Sequence, residues 1–356
     1  MGGNENSDVR RLGSSSAHRL SESGAHRRAD VTPSPRPTLP FERGSISLRL
    51  YPHNELSADA IVGELCAQAA LGLDSGFDGV MTSEHHGGFA GYLAQPLQMV
   101  SFVLAERATG WAAAAPLLLP LRSTALVAEE VAWLQARHPG RVGLGVAAGA
   151  LPLDFEVADV SQADAVERFK AGLPRLVAML RGQDLGRLDG DPALLACRRT
   201  PVPVLSAAVS VAAAVRAARC GAGILMEGMS TPERLARLTQ AFDEAGGTGD
   251  KVLIRRVWLG PPPSTLIDNQ RAVYESYAET VRSFGEDQTI VSDHPDEMAE
   301  RLRDALTQAG ADALNLRVQL PGMSPRQVRE QIAQIGTTVV APLRTTWPSP
   351  GPRVTT

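Results

Sequence analysis

The chain predicts an α/β fold, a single (β/α)8 TIM barrel with insertions. Three observations carry that expectation. From Ser45 onward, eight short apolar runs alternate with longer stretches of helical period, the order required by a parallel sheet covered with helices. No break in composition divides this region into two parts. The competing architecture, a doubly wound open sheet, would carry a glycine fingerprint after its first strand, and Tyr51-Pro52-His53-Asn54 stands there instead.

The elements follow in order. Ile46–Leu50 is the first strand, and Ala58–Leu73 is a helix whose apolar positions Ile61, Val62, Leu65, Cys66, Ala69 and Leu73 recur at spacings of three and four. Gly76 closes it before strand two, Phe77–Met81. Pro96 opens the next helix, to Arg107, at a position where a missing N–H costs nothing. Trp111–Leu119 is strand three. Ser123 caps a helix that runs to Arg137, and His138-Pro139-Gly140 stops it. Strand four is Arg141–Val146, and a helix over Asp164–Leu180 follows. Next comes a loop with Gly182, Gly186, Gly190 and Pro192. Val202–Leu205, Ile224–Met226, Val252–Leu259 and Ala313–Val318 complete the eight strands, with helices near 211–220, 231–245, 266–284, 295–309 and 325–335.

Residues 1–44 differ in kind. They are rich in Ser, Arg, Gly and Pro without apolar periodicity, so they cannot bury enough surface to offset their ordering entropy, and a disordered N-terminal extension is expected. The segment lacks the continuous apolar core of a secretory signal, and its acidic residues Glu5, Asp8, Glu22, Asp30 and Glu42 oppose a transit peptide. Residues 345–356 are expected to form a disordered tail. Between them, residues 45–344 form the barrel domain.

With 44% hydrophobic and 21% charged residues the chain is composed like a soluble globular protein. A formal charge of −4 argues against nucleic acid or an anionic membrane as the main partner. No apolar run reaches the length of a membrane span. The three cysteines, Cys66, Cys197 and Cys220, form no CxxC pair; small core residues in a reducing, cytoplasmic setting are expected, with no metal site.

The densest group of chemistry-bearing residues is Ser83-Glu84-His85-His86-Gly87-Gly88, at the C-terminal end of strand two, the face on which barrel enzymes carry their sites. Gly143-Leu144-Gly145-Val146-Ala147-Ala148-Gly149 has the wrong spacing for a dinucleotide fingerprint. Its glycines either leave room for a flat ligand or ease packing. Ala112-Ala113-Ala114-Ala115-Pro116 clears strand three of bulk, and Pro116 implies a bulge or strand edge. Ser210 caps the helix beginning at Val211, whose free N–H groups are either simply capped or an anion seat. No GxxxxGK[ST], HExxH, GxSxG or EF-hand pattern is present, which removes nucleotide hydrolysis, zinc proteolysis and serine hydrolysis as leading ideas.

Taken in order, the stretches 76–86, 114–120, 139–149, 154–156, 201–210, 320–323 and 339–344 resemble the bacterial luciferase-like flavin monooxygenase family. The resemblance implies a (β/α)8 barrel holding reduced FMN at its strand ends, with a deazaflavin coenzyme in some relatives. It implies His85 as the catalytic histidine, with Glu84 orienting it, and Ala115-Pro116 as a cis peptide beneath the flavin ring. It further implies Ala147 against the flavin edge, and Ser210 with the N–H of Val211 at the phosphate. Ala148 stands where the family pattern has a phosphate-binding arginine.

The activity so implied is oxidation of a small organic substrate by O2 through a flavin C4a-hydroperoxide. The resemblance also implies FMN reduced by a separate reductase, and a homodimer. Two alternatives stay open: hydride transfer with a deazaflavin, and a non-catalytic flavin-binding relative. Phe89, Tyr92, Phe155 and Trp258 are the aromatic residues expected to wall the pocket, or else to be ordinary core.

Overall fold

Eight parallel strands close on one another in the computed structural model, which describes residues 38–277 and 288–347. They are β1 (Ile46–Arg49), β2 (Gly79–Thr82), β3 (Trp111–Leu118), β4 (Val142–Ala147), β5 (Val204–Ala207), β6 (Gly223–Met226), β7 (Lys251–Leu259) and, after the short β8 (Ile290–Ser292), β9 (Ala313–Arg317). Neighbours run in sequence order from β1 to β7. Pairing of β7 with β9 and of β9 with β1 closes the ring. All eight barrel strands fall where the sequence places them. The ninth, β8, pairs only with the far end of β7, Val257–Leu259, outside the ring.

The outer layer comprises α1 (Ala58–Asp74), α2 (Pro96–Glu106), α3 (Thr124–Arg137), α4 (Pro152–Val157), α5 (Ala165–Met179), α6 (Pro192–Ala196), α7 (Val211–Arg219), α8 (Pro232–Glu244), α9 (Ser264–Tyr277), α10 (Pro295–Ala309), α11 (Pro325–Ile335) and α12 (Ala341–Thr346). Starts are set by local chemistry. The Ser210 and Thr231 hydroxyls accept the N–H groups of Ala213 and Arg234, and Ser324 with Gln327 forms a reciprocal capping box. Each such cap contributes about 1 kcal/mol. Gly310, with φ of 63°, ends α10. The expected helix over 266–284 is seen as α9, and its last residues lie outside the described ones.

Two apolar layers follow from the period of two along the strands. Outward residues such as Leu48, Val80, Leu144, Ile224 and Leu316 pack under the helices. Inward ones form a separate cluster of Phe41, Met81, Trp111, Ala113, Ala115, Leu205, Leu225, Val252 and Ala313. Residues 38–44, which composition assigns to the extension, take part in this fold. Phe41 is fully buried and meets Trp111 edge-on at 5.3 Å. The Thr38 hydroxyl donates to Asp78 at 2.8 Å. Burial of Phe41 together with this hydrogen bond anchors the segment, which a reading of Pro and Ser content does not register. The remainder of the expected extension and all but Thr345–Trp347 of the expected tail lie outside the described residues.

The glycines of β4 serve packing. A Cβ at Gly143 would stand 2.6 Å from the Phe41 ring, and one at Gly145 would stand 2.7 Å from the Ala115 Cβ. The space they leave is filled by protein rather than kept for a ligand. On the β1–β9 side the interior is polar: the Asn315 amide donates to Ser47 Oγ at 2.9 Å and its Oδ1 accepts from Arg49 Nε at 2.6 Å. Buried polar groups persist when so satisfied.

Candidate active site

Inward positions at the C-terminal strand ends surround a cavity of about 240 Å³. His85 and Tyr92, from the loop after β2, stand beside it with Ser83. Pro116 on β3, Ala207 on β5, Val209 just after β5, and Leu225 on β6 give it a largely apolar side. Arg49, Arg256 and Arg317 come from β1, β7 and β9. A larger groove of about 450 Å³ runs on the outside along α5 and α7, beside Lys170, Arg216 and Cys220. It lacks the strand-end residues and is set aside as the site.

The Ala115–Pro116 peptide is cis, as the family resemblance leads one to expect. Here the β3–β4 register shifts between Ala114 and Leu117, the irregularity that a proline within a strand requires. The Glu84 N–H donates to the Pro116 carbonyl at 3.0 Å, tying the β2 loop to this step.

His85 is held by Asp154, not by Glu84. Its Nδ1 lies 2.8 Å from Asp154 Oδ2, and the His86 N–H donates to Asp154 Oδ1 at 2.8 Å. An ionised carboxylate only accepts, so Nδ1 carries the proton and Nε2 of neutral His85 is left with its lone pair. Asp154 is wholly buried, whereas the His85 side chain is 20% exposed.

Glu84 does a different job from the one expected. Its buried carboxylate accepts from the Leu118 N–H at 2.6 Å, from His86 Nε2 at 3.0 Å and from Arg122. It therefore fixes the ends of β2 and β3, and His86, rather than the ring of His85. The correction has a steric origin: residues adjacent along an extended chain point to opposite sides, so Glu84 faces β3 while His85 faces the mouth of the barrel.

The other expected residues divide. Pro116 lines the cavity with His85, and Ala115 lies just behind it, buried against Gly145. Ala147, at the end of β4, pairs with Leu118 and is not among the cavity-lining residues. Ser210 and Val211 are exposed at the start of α7, next to the lining residue Val209. Arg234 donates to the Val209 carbonyl at 2.9 Å, bringing a guanidinium to that corner. Of the aromatic residues, Tyr92 lines the cavity and Phe89 packs on the His85 ring at 5.2 Å. Phe155 is buried beneath Gly149, and the indole of Trp258 donates to the Pro261 carbonyl at 2.7 Å, so neither is part of the wall. Asp154 and the three arginines are what sequence reasoning missed.

Among the described residues there is no His/Cys/Asp/Glu group arranged to hold a metal ion, and no helix is long and apolar enough to cross a membrane. A search of curated proteins returns no match by sequence. Solved structures with the same fold include a monooxygenase, RslO1, from Streptomyces bottropensis, at 17% identity, covering 83% of this chain and 99% of that one with a TM-score of 0.65. The oxygenating constituent of 3,6-diketocamphane monooxygenase from Pseudomonas putida, in complex with FMN, is similar at 16% identity, covering 86% and 100% with a TM-score of 0.65. An F420-dependent secondary alcohol dehydrogenase is similar at 16% identity, covering 83% and 98% with a TM-score of 0.63. The family model for luciferase-like monooxygenases matches residues 50–341, from the end of the first barrel strand to the last helix, and the chain belongs to that family.

Proposed function

We propose that the chain is a flavin-dependent monooxygenase that uses reduced FMN and O2 to oxidise a small organic substrate. One observation carries the reading: His85, braced by Asp154, and the Pro116 step share a single cavity, one side of which is largely apolar. The residues fit an aromatic ring system with polar edges. Pro116, Ala207 and Leu225 offer small apolar surface, and Ser83 Oγ, beside His85 at the same cavity, is buried without a hydrogen-bond partner among the described residues, the condition a ligand relieves. Ala115 and Ala147 back this seat without adding bulk.

Ser210 and the N–H of Val211 would hold the phosphate at the positive end of α7. Ala148 brings no charge there, and the Arg234 guanidinium beside Val209 supplies one. Reduced flavin, when bound, would supply the two electrons with which O2 delivers one oxygen atom to substrate and the other leaves as water. The protein's own contribution is acid–base chemistry and dryness. His85 Nε2, the ring nitrogen that Asp154 does not hold, would accept a proton and then return it, and Asp154 holds the tautomer that makes this so. Glu84 keeps the β2 and β3 ends together, so that His85 and Pro116 stay in one wall. Tyr51 and Tyr92, edge-on at 5.4 Å, shield the mouth from water. A homodimer served by a separate reductase in the cytoplasm completes the reading.

Anaerobic titration of the full chain with FMN, photoreduced and oxidised, is the first test, followed by O2 uptake with the reduced form. Binding of reduced FMN and O2 consumption that falls in His85→Ala support the reading. Binding of the deazaflavin coenzyme alone, without O2 uptake, replaces it with hydride transfer. Binding of flavin with no O2 reaction at all would leave a non-catalytic relative.

A further inference from the structure

Glu227 stands one residue past the end of β6 and two along from Leu225, so the two side chains share the inward face, and both line the cavity. It is the one carboxylate among the described lining residues. Its two oxygens are used unequally. Oε2 accepts from the Met229 N–H at 2.5 Å, which fixes the head group. Oε1 is buried and has no hydrogen-bond partner among the described residues. On the adjacent strand β7, Arg255 donates to the Gly228 carbonyl and Arg256 to Gln270, each at 2.8 Å, and neither supplies Oε1. A carboxylate oxygen taken out of water without a donor is costly, and a ligand that brings an O–H or N–H to it removes the cost.

We infer that Glu227 selects the substrate, by accepting a hydrogen bond at Oε1 from a neutral O–H or N–H group on it. The word substrate rests on the monooxygenase reading; the hydrogen bond itself does not need the flavin. Around the closed ring, β5, β4 and β3 separate β6 from β2 on one side, and β7, β9 and β1 separate them on the other. Glu227 therefore stands across the cavity from the β2 loop, with its lining residues Ser83 and His85. A molecule held at Glu227 by its donor extends toward His85, which puts the carbon to be oxidised at the end remote from the donor. The neutral charge of that donor follows from the surroundings. Leu225 on β6, with Ala207 and Val209 on and just after β5, gives the carboxylate apolar neighbours, and there an ammonium loses far more hydration than a hydroxyl does. Analogues that lack the donor are rejected because Oε1 then stays unpaired.

The test is calorimetric titration of the full chain with p-cresol against its methyl ether, p-methylanisole, and with p-methylbenzylamine as the cation, alongside a separate FMN titration. The phenol should bind about ten-fold or more tightly than the ether. Glu227→Gln, which keeps an oxygen but no charge, should narrow that preference to a few-fold, and Glu227→Leu should abolish it while leaving FMN affinity within about two-fold. Glu227→Leu should also bind the ether several-fold more tightly than the parent chain does, a gain that a misfolded variant cannot produce. Equal binding of phenol and ether by the parent chain, binding of neither, or a preference for the amine over the phenol overturns the inference. A loss of FMN affinity in Glu227→Leu with the phenol preference intact overturns it too, by assigning the carboxylate to the flavin. The expected pattern in a chain that binds no FMN would sink the flavin reading and leave the Glu227 site standing.

Discussion

Replacing Asp154 separates a positioned histidine from an incidental one. The carboxylate is wholly buried and accepts two hydrogen bonds, from His85 Nδ1 and the His86 N–H, each at 2.8 Å. Asp154→Ala removes both acceptors and leaves two buried or half-buried donors with none. A hydrogen bond to a charged group contributes about 1.5–3 kcal/mol, and stripping one partner from a buried pair costs about 3–5 kcal/mol, so a loss of about 3–5 kcal/mol is expected. With an unfolding entropy of about 2.1 cal/mol/K per residue over the described barrel, that is a fall in Tm of about 5–8 °C. Asp154→Asn keeps an oxygen for the His86 N–H and turns an NH2 toward His85, at a cost of about 1–2 kcal/mol. An NH2 can only donate, so His85 must move its proton to Nε2. Urea unfolding followed by Trp fluorescence gives the stabilities, and nitrogen-detected NMR of the histidine ring gives the tautomer. A stability loss under about 1 kcal/mol in Asp154→Ala, or an unchanged tautomer in Asp154→Asn, would refute the reasoning.

Three further outcomes follow from the same geometry. Phe41→Ala should cost about 3–5 kcal/mol in chemical denaturation, because the ring is fully buried against Trp111 and Gly143. Gly145→Ala would place a Cβ 2.7 Å from that of Ala115; a loss of about 1–3 kcal/mol is expected, with weaker FMN binding in the same titration if Pro116 is displaced. Burial pushes the thiols of Cys66 and Cys197 up to about 11. Folded thiols thus stay protonated where unfolded ones ionise, so their contribution is complete below pH 9, falls between about pH 9 and pH 11, and is gone beyond. Native-state labelling by a thiol reagent at pH 8 should accordingly be slow at both and accelerate with urea.

The barrel was legible because each of its eight strands is an apolar run bounded by Gly, Pro or a charged turn, and each is followed by a helix-period stretch. Ile290-Val291-Ser292 was not, since three residues give no periodicity to read and the strand exists only because β7 overshoots the ring. His85 stood out by its neighbours Glu84 and His86, yet its true partner, Asp154, is 69 residues away and meets it only after β2 and β4 have closed side by side around β3. The same limit hid the arginines. A signal was present: Ser47 and Arg49, and Asn315 and Arg317, put polar groups at every second position of otherwise apolar strands. Alternation reveals that two faces differ, but which of them turns toward the barrel axis is decided by the ring as a whole.

The outlying pairing of β8 with β7 has a consequence for how this scaffold can change. Val257, Trp258 and Leu259 leave the ring, and Ile290, Val291 and Ser292 return beside them, so the excursion between them starts and ends at one fastened point. Insertions or deletions within that excursion would be absorbed outside the fastening, without shifting Arg256 one residue below it. That segment can therefore change in length while β7 and β9 keep their register.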